Sequence, residues 1–343
     1  NGEKEPLPGK ITIVDNNNNR LPSGLYGVYH KDTEEGKTTI TNVGLTSITG
    51  TKTWVDNGGV YEGTRPETLE LTLSRYTGDQ TAENAEEVKN NSGQLLQPTW
   101  KTDGDKWEYA YNNLPAADEN GKLYTYIVKE NLPEKTENGD QYHQDQDGNN
   151  FTNTLTGTVQ VSVKKAWKDG SDAEYTRPGE ITIQLYKTLD GETGEQPVTG
   201  NNGNVTLNSG NGWQHTWKEL PKYEDGKLIH YTVKELNQDG DAVENGGDYN
   251  KDYVVDYSGS QENGYTATNT LVTSQTVTKL WEGDDEADLE NPVERPTNIT
   301  AQLYAKIGDG EAKPVNGKTV KLNKDSGWTH TWTNLPKYDG DDL

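Results

Sequence analysis

An amine, a carboxyl group and a carboxamide recur at matched positions of the chain. The two sets are Lys52, Glu130 and Asn153, and Lys165, Glu235 and Asn269. Each lysine precedes a tryptophan by two positions, and strand alternation places two such residues on one face. Since tryptophan belongs in a core, the lysine is expected to be buried, which is costly unless it loses its charge. The spacing favours a buried amine that gives up its proton, and the alternative is a surface ion pair beside a capping asparagine.

These residues lie in a repeating frame of short motifs. A Lys-x-Trp tripeptide, an Arg-Pro pair and an aromatic block ending in Leu-Pro occur three times in the same order. The tripeptides begin at Lys52, Lys165 and Lys279, which are about 114 residues apart. The first two repeats continue into Tyr-x-Val-Lys-Glu, ending at Glu130 and Glu235, and close on Thr-Asn-Thr. Matched blocks in one order indicate a tandem array.

The elements that carry these motifs are predicted to be strands. The blocks alternate with period two and are rich in β-branched and aromatic residues, as in residues 158–163. Clusters of Gly, Asn and Asp separate them, which is typical of short antiparallel strands and loops without significant helix. About seven strands in each repeat fit a two-sheet sandwich. The predicted fold class is therefore all-β, a tandem series of Ig-like β-sandwiches.

Composition narrows the function further. Aspartate and glutamate number 56 against 32 lysines and arginines, and the resulting net charge of -24 repels nucleic acid and anionic membrane surfaces. Neither nucleic-acid binding nor membrane insertion is therefore expected. The 9 tryptophans and 19 tyrosines argue against disorder and predict small, aromatic cores. The chain has no cysteine, so domains this small need a stabilising feature other than a disulfide bond.

The ordered motifs resemble the B-type repeat domains of Gram-positive collagen-binding adhesins, which also occur in pilins. The resemblance covers essentially the whole chain and implies CnaB-like, prealbumin-like sandwiches. It also implies that the lysine and asparagine of each repeat join spontaneously in an isopeptide bond, assisted by the glutamate. Carried over to this sequence, the bonds are Lys52–Asn153 with Glu130, and Lys165–Asn269 with Glu235.

The frame divides the chain into four predicted domains. Residues 46–156 and 157–271 form complete repeats, here called the first and second repeats. Residues 1–45 match the second half of a repeat, and residues 272–343, the third repeat, match a first half. One interpretation is an arbitrary cut through a longer array. The other is a head-to-tail fibre in which the last half of one copy is completed by the first half of the next.

The fibre interpretation predicts a third bond, between copies. Lys279 of one copy would bond Asn42 of the next, with Glu5 as the assisting carboxyl group. The expected partners of the chain are thus other repeats of the same protein and, in the fibre case, further copies.

The expected function is a structural stalk or fibre of a bacterial cell-surface adhesin or pilus, outside the cell. An enzyme is not expected, because the only catalytic-looking trio is consumed once in each domain. No cofactor or metal site is expected either, since the matched His215 and His330 are replaced by Tyr109 in the first repeat.

Two other functions compete with the stalk. Repeats that themselves bind a host matrix protein or glycan are hinted at by Trp100 and Tyr61, which lie outside the repeat frame. A pilin backbone polymerised by sortase would carry a Leu-Pro-x-Thr-Gly motif, and the sequence contains none.

Overall fold

The computed structural model describes residues 26–34, 37–66, 69–78, 80–136, 139–200, 203–282 and 294–339, with only the backbone described for residues 26–42. The chain divides by its internal contacts into two units, residues 1–157 with 223–227, and residues 158–222 with 228–343. The described residues form strands and short 3-10 turns at Asn57–Gly59, Ala82–Asn84 and Ser209–Asn211, without an α-helix. The all-β prediction is confirmed. No helix among these residues has the length and hydropathy needed to cross a membrane.

The first unit contains two sheets that enclose one core. Its strands are β1 (Tyr26–Glu34), β2 (Lys37–Val55), β3 (Glu70–Thr77), β4 (Glu86–Glu87), β5 (Thr99–Asp103), β6 (Lys106–Pro115), β7 (Tyr124–Asn131), β8 (Gln141–Asp147) and β9 (Asn150–Thr156). One sheet has the order β5-β6-β2-β9-β8, with β1 paired to β2, and the other has the order β4-β3-β7. All neighbours are antiparallel except β2 and β9, which run parallel. The first repeat is thus a sandwich whose first and last strands are adjacent.

The second repeat has the same architecture. Its strands are β10 (Thr158–Lys168), β11 (Glu180–Leu189), β12 (Gln196–Pro197), β13 (Asn204–Asn208), β14 (Gln214–Pro221), β15 (Tyr223–Glu224), β16 (Lys227–Leu236), β17 (Gly247–Asp248), β18 (Tyr253–Ser260) and β19 (Gly264–Thr278). One sheet has the order β14-β10-β19-β18-β17, and the second contains β12, β11 and β16, with β13 paired to β11. Here too the first and last strands, β10 and β19, are a parallel pair.

Period-two alternation places the core residues of both sheets against each other. In the first repeat, Leu71, Leu73 and Val128 face Tyr109 and Phe151 in one buried cluster. Along β9, buried and partly exposed residues alternate from Phe151 to Leu155. Burying an aliphatic or aromatic side chain of this size contributes about 1.5–3 kcal/mol. The same alternation decides which polar side chains are carried into the interior.

The third repeat begins within a strand that it shares with the second repeat. Strand β19 runs from the last strand of the second repeat into Thr278, and the described remainder forms β20 (Asn298–Ala305), β21 (Lys313–Asn323) and β22 (Thr329–Pro336). Strand β22 pairs with the distal part of β19. The Tyr338 hydroxyl lies 3.1 Å from Glu174 Oε1, and the Lys337 amide donates to the Leu271 carbonyl at 3.0 Å. The second and third repeats therefore share both a continuous strand and side-chain contacts.

Candidate cross-linking sites

Strand register brings the predicted lysine and asparagine of each complete repeat onto one sheet. Trp54 on β2 is the register partner of Asn153 on β9, and Lys52 lies two residues before Trp54 on the same face. Trp167 and Asn269 have the same relation on β10 and β19. The glutamates come from the opposite sheet and point into the core. On β7, Glu130 alternates with buried Val128, so the sandwich itself closes the trio.

In the first repeat the three side chains meet in the interior. Lys52 Nζ lies 3.2 Å from Glu130 Oε1, and both side chains are 0% exposed. Asn153 Nδ2 donates to the same oxygen at 3.1 Å, and Asn153 is fully buried. The second carboxylate oxygen, Oε2, accepts a hydrogen bond from Gln144 Nε2. One carboxylate thus holds both the amine and the carboxamide that the sequence singled out.

The second repeat repeats this arrangement with one difference. Lys165 Nζ lies 3.3 Å from Glu235 Oε2, and Asn269 Nδ2 donates to Glu235 Oε1 at 2.8 Å. The amine also donates to the Ala267 carbonyl at 3.2 Å. Here the lysine and the asparagine occupy different oxygens of the carboxylate, whereas in the first repeat they share one.

Burial shifts the pKa values of Lys52, Lys165 and Glu235 in the direction that favours their neutral forms. Burial lowers the pKa of Lys52 to about 8, although the Glu130 carboxylate opposes this change. Burial lowers the pKa of Lys165 to about 8 in the same way, against the attraction of Glu235. The pKa of Glu235 is raised by burial, against the opposing effect of Lys165. Desolvation disfavours every charged form in such a place, so the proton of the lysine is drawn toward the carboxylate.

The amide oxygens of the two asparagines are left unsatisfied. Within the described part of the chain, Asn153 Oδ1 and Asn269 Oδ1 are buried and have no hydrogen-bond partner. An unpaired buried acceptor costs about 1–3 kcal/mol. Because side-chain amides can rotate by half a turn, a protonated glutamate would satisfy this oxygen and polarise the amide carbonyl.

Each tryptophan of the Lys-x-Trp motif covers its lysine. Lys52 Nζ lies 4.1 Å from the Trp54 ring centroid, and Lys165 Nζ lies 4.3 Å from that of Trp167. On Trp167, the Arg177 guanidinium also approaches the ring centroid, at 5.1 Å. The motif therefore places an aromatic face against the amine, which helps to exclude water from it.

An acid–arginine clamp beside the sites was missed by sequence reasoning. Arg177 donates to both oxygens of fully buried Asp169, at 2.9 Å and 2.5 Å, and Tyr253 donates to Asp169 Oδ2 at 3.0 Å. Burial is the largest single influence and raises the pKa of Asp169, but the hydrogen bonds from Arg177, the Asp172 amide and Tyr253, with the charge of Arg177, together lower it. Arg65 and Asp56 form the same bidentate pair in the first repeat. The available signal was an aspartate two residues after the motif tryptophan in both complete repeats.

The described part of the structure shows no contact among the residues of the predicted third bond. Lys279 is partly exposed and its Nζ donates to the Leu280 carbonyl at 2.7 Å. Of Asn42 only the backbone is described, as the register partner of Val28 in the β1–β2 pair. Glu5 lies outside the described residues. The Lys279–Asn42 bond stays a prediction.

The other residues considered from the sequence have structural neighbours. His215 packs edge-on against Trp217, and His330 against Trp332, at ring-centroid distances of 4.9 Å and 5.0 Å. Trp100 is partly buried and packs against Tyr109 at 5.3 Å. Within the described residues, no group of three or more His, Cys, Asp and Glu side chains is placed to hold a metal ion.

Sequence comparison assigns the repeats to a known family. The family model described as Cna protein B-type domain matches residues 48–154, 161–270 and 275–342. The chain belongs to this family. The match confirms the family recognised from the motifs and the tandem organisation of three segments.

Similar proteins include a collagen adhesin of Staphylococcus aureus, 32% identical over 286 residues, or 80% of this chain. The chain spans 20% of that relative's length. Two B repeat units of the collagen binding protein of Staphylococcus aureus share 27% identity, covering 94% of this chain and 74% of theirs, with a TM-score of 0.37. The pilus adhesin SpaC of Lactobacillus rhamnosus GG, in its open conformation, shares 12% identity, covering 81% of this chain and 33% of its own, with a TM-score of 0.28. The family assignment rests on the sequence match.

Proposed function

We propose that the chain is part of the stalk of a bacterial cell-surface adhesin or pilus, built from sandwiches that cross-link themselves. The observation that carries this proposal is the contact of one buried glutamate with both a buried lysine and a buried asparagine in each complete repeat. A lysine and a glutamate are costly to bury as ions, and the cost of the lysine falls once its amine is joined to the asparagine in a neutral amide. Family membership and the collagen adhesin among the relatives support the location outside the cell.

The chemistry begins with proton transfer from lysine to glutamate. The neutral Nζ then attacks the Cγ of the asparagine, while the protonated carboxyl group donates to Oδ1 and polarises the carbonyl. A new bond forms between Nζ and Cγ, the bond from Cγ to Nδ2 breaks, and one amine proton leaves with that nitrogen as ammonia. The glutamate relays this proton. Holding amine and amide together supplies the effective molarity that an unactivated amide requires.

The product would suit a load-bearing role. The second repeat begins on β10 and leaves through β19, which continues into the third repeat. Force along the array therefore enters and leaves the second repeat through two adjacent parallel strands. A bond between Lys165 and Asn269 joins these strands directly, so the chain between them would carry little load.

The same reaction would replace the absent disulfides. Each bond would close a loop of about 100 residues, and the chain-entropy model for disulfides assigns such a loop about 4–5 kcal/mol. For repeats with small cores this is a large share of the total stability.

Replacing one glutamate tests whether that residue is needed for bond formation but not for folding. We expect Glu130→Ala to leave the first repeat folded but unlinked, so that its tryptic peptides keep the full calculated mass while those of the second repeat lose one ammonia. The matched control is Glu134→Ala, which changes an exposed glutamate of the same repeat. Loss of ammonia from the first repeat of Glu130→Ala would contradict the assisting role.

A further inference from the structure

The residue opposite the predicted cross-linking asparagine differs between the repeats. On β8, Gln144 is the register partner of Asn153. On β18, Val255 is the register partner of Asn269, and on β1, Val28 is the register partner of Asn42. The first repeat therefore carries an amide side chain at a position where the other two pairs have valine.

Gln144 occupies the free side of the glutamate in the first repeat. Its Nε2 donates to Glu130 Oε2. The other oxygen of this carboxylate, Glu130 Oε1, contacts both Lys52 Nζ and Asn153 Nδ2. Gln144 itself is exposed on β8, and it reaches the buried carboxylate from the sheet edge. Both oxygens of Glu130 are thus engaged by N–H donors.

Among the described residues of the second repeat, no side-chain amide takes the place of Gln144. Val255 is fully buried, and within the described residues Glu235 Oε2 has no hydrogen-bond partner. This oxygen faces the Lys165 amine at 3.3 Å. It can accept the lysine proton without giving up another hydrogen bond. In the first repeat, the oxygen that faces Lys52, Oε1, already accepts a hydrogen bond from Asn153, and Oε2 is occupied by Gln144.

We infer that Gln144 is a positioning residue whose hydrogen bond occupies Glu130 Oε2 and thereby delays bond formation in the first repeat relative to the second. The inference rests on the proposed isopeptide chemistry. An N–H donor stabilises the charged form of its acceptor, and the reaction needs the neutral acid. A hydrogen bond to a charged group accounts for a rate difference of about tenfold, with the second repeat closing first.

The test follows closure of both repeats in one molecule. The full chain is labelled by a short pulse of cell-free synthesis, and portions are transferred to denaturant at intervals after the pulse to stop folding and bond formation. Samples taken over time are digested, and mass spectrometry measures the cross-linked peptide of each repeat. We expect the first repeat of the unmodified chain to close about tenfold more slowly than the second. In Gln144→Val and Gln144→Leu, which differ in shape but both lack the donor, the first repeat should close at the rate of the second.

The second repeat serves as the internal control and carries the reciprocal change. Val255→Gln should slow its closure while leaving the first repeat unchanged. Unfolding in an Asn153→Ala background, where no bond forms in the first repeat, reports whether Gln144→Leu alters stability rather than rate. A first repeat that closes as fast as the second, or that slows further in both Gln144 variants, overturns the inference, as does an unaltered rate in Val255→Gln. If neither repeat loses ammonia at all, the proposed function fails instead.

Discussion

Trp167 and Asn269 are register partners on the parallel strands β10 and β19. Because Lys165 lies two residues before Trp167, its side chain shares the core face with Asn269, and Glu235 reaches both from the opposite sheet. The first repeat has the same relation between Trp54 and Asn153. The site is thus a consequence of one topological feature, the adjacency of the first and last strands.

Blocking the bond should lower the stability of the repeat. Lys165→Met removes the nucleophile and fills similar space, so we expect the second repeat to lose about 4–5 kcal/mol of unfolding free energy, the cross-link contribution. Calorimetry or chemical denaturation of the full chain measures the loss. The control is Lys164→Met on the exposed face of the same strand. A Lys165→Met chain as stable as the control would contradict the claim that the Lys165–Asn269 bond stabilises the second repeat.

Closure of the second repeat should have a bell-shaped dependence on pH. The pair shares one proton in its reactive state, and the pKa of Lys165 is lowered by burial to about 8 while the pKa of Glu235 is raised by burial. Above about pH 8 the pair loses its proton and no acid remains, and at low pH both groups are protonated and the amine is not nucleophilic. Transfer of freshly synthesised chain, before closure, into buffers of a series of pH values measures this rate. A rate that climbs steadily up to pH 10 would argue against the shared proton.

Much of the fold and the two sites follow from local patterns in the sequence. Alternation around Lys52 and Trp54 predicts that both side chains are buried, and the motif order predicts which glutamate and asparagine belong with them. These predictions need only the period of a strand. The bidentate pair of Arg177 and Asp169 could not be predicted in this way, because it depends on how a loop folds back onto the sheet.

The differences between the two sites could not be predicted from the sequence pattern either. Gln144 and Val255 lie in segments of different length and composition, and only the pairing with Asn153 and Asn269 reveals their equivalence. Which carboxylate oxygen each lysine contacts depends on sub-ångström placement across the two sheets. Such details of side-chain placement leave no periodic pattern in the sequence.

The arginine clamp should act on stability and leave the chemistry intact. Arg177→Ala leaves the buried Asp169 without its ion-pair partner, which we expect to cost about 3 kcal/mol. The second repeat should nevertheless still lose one ammonia. Arg75→Ala, which removes an arginine over the Tyr124 ring, provides a control for loss of an arginine elsewhere. Denaturation and intact mass are measured on the same samples, and an Arg177→Ala chain without the second bond would place the clamp in the reaction.

The repeats themselves should not bind host ligands tightly. Trp100, one of the two aromatic residues that favoured a binding function, packs against Trp107 and Tyr109 in its own repeat. We therefore expect no sub-micromolar binding of collagen, fibrinogen or glycans by this chain in a surface-binding assay, with a collagen-binding protein as the positive control. Specific sub-micromolar binding that is lost in Trp100→Ala would support the adhesive alternative.

The intact mass of the folded chain tests the central claim most directly. Two closed repeats predict a mass lower than the calculated value by two molecules of ammonia, with cross-linked peptides joining Lys52 to Asn153 and Lys165 to Asn269. The double variant Asn153→Ala and Asn269→Ala should show no such loss. A folded, unmodified chain at its full calculated mass would contradict the account.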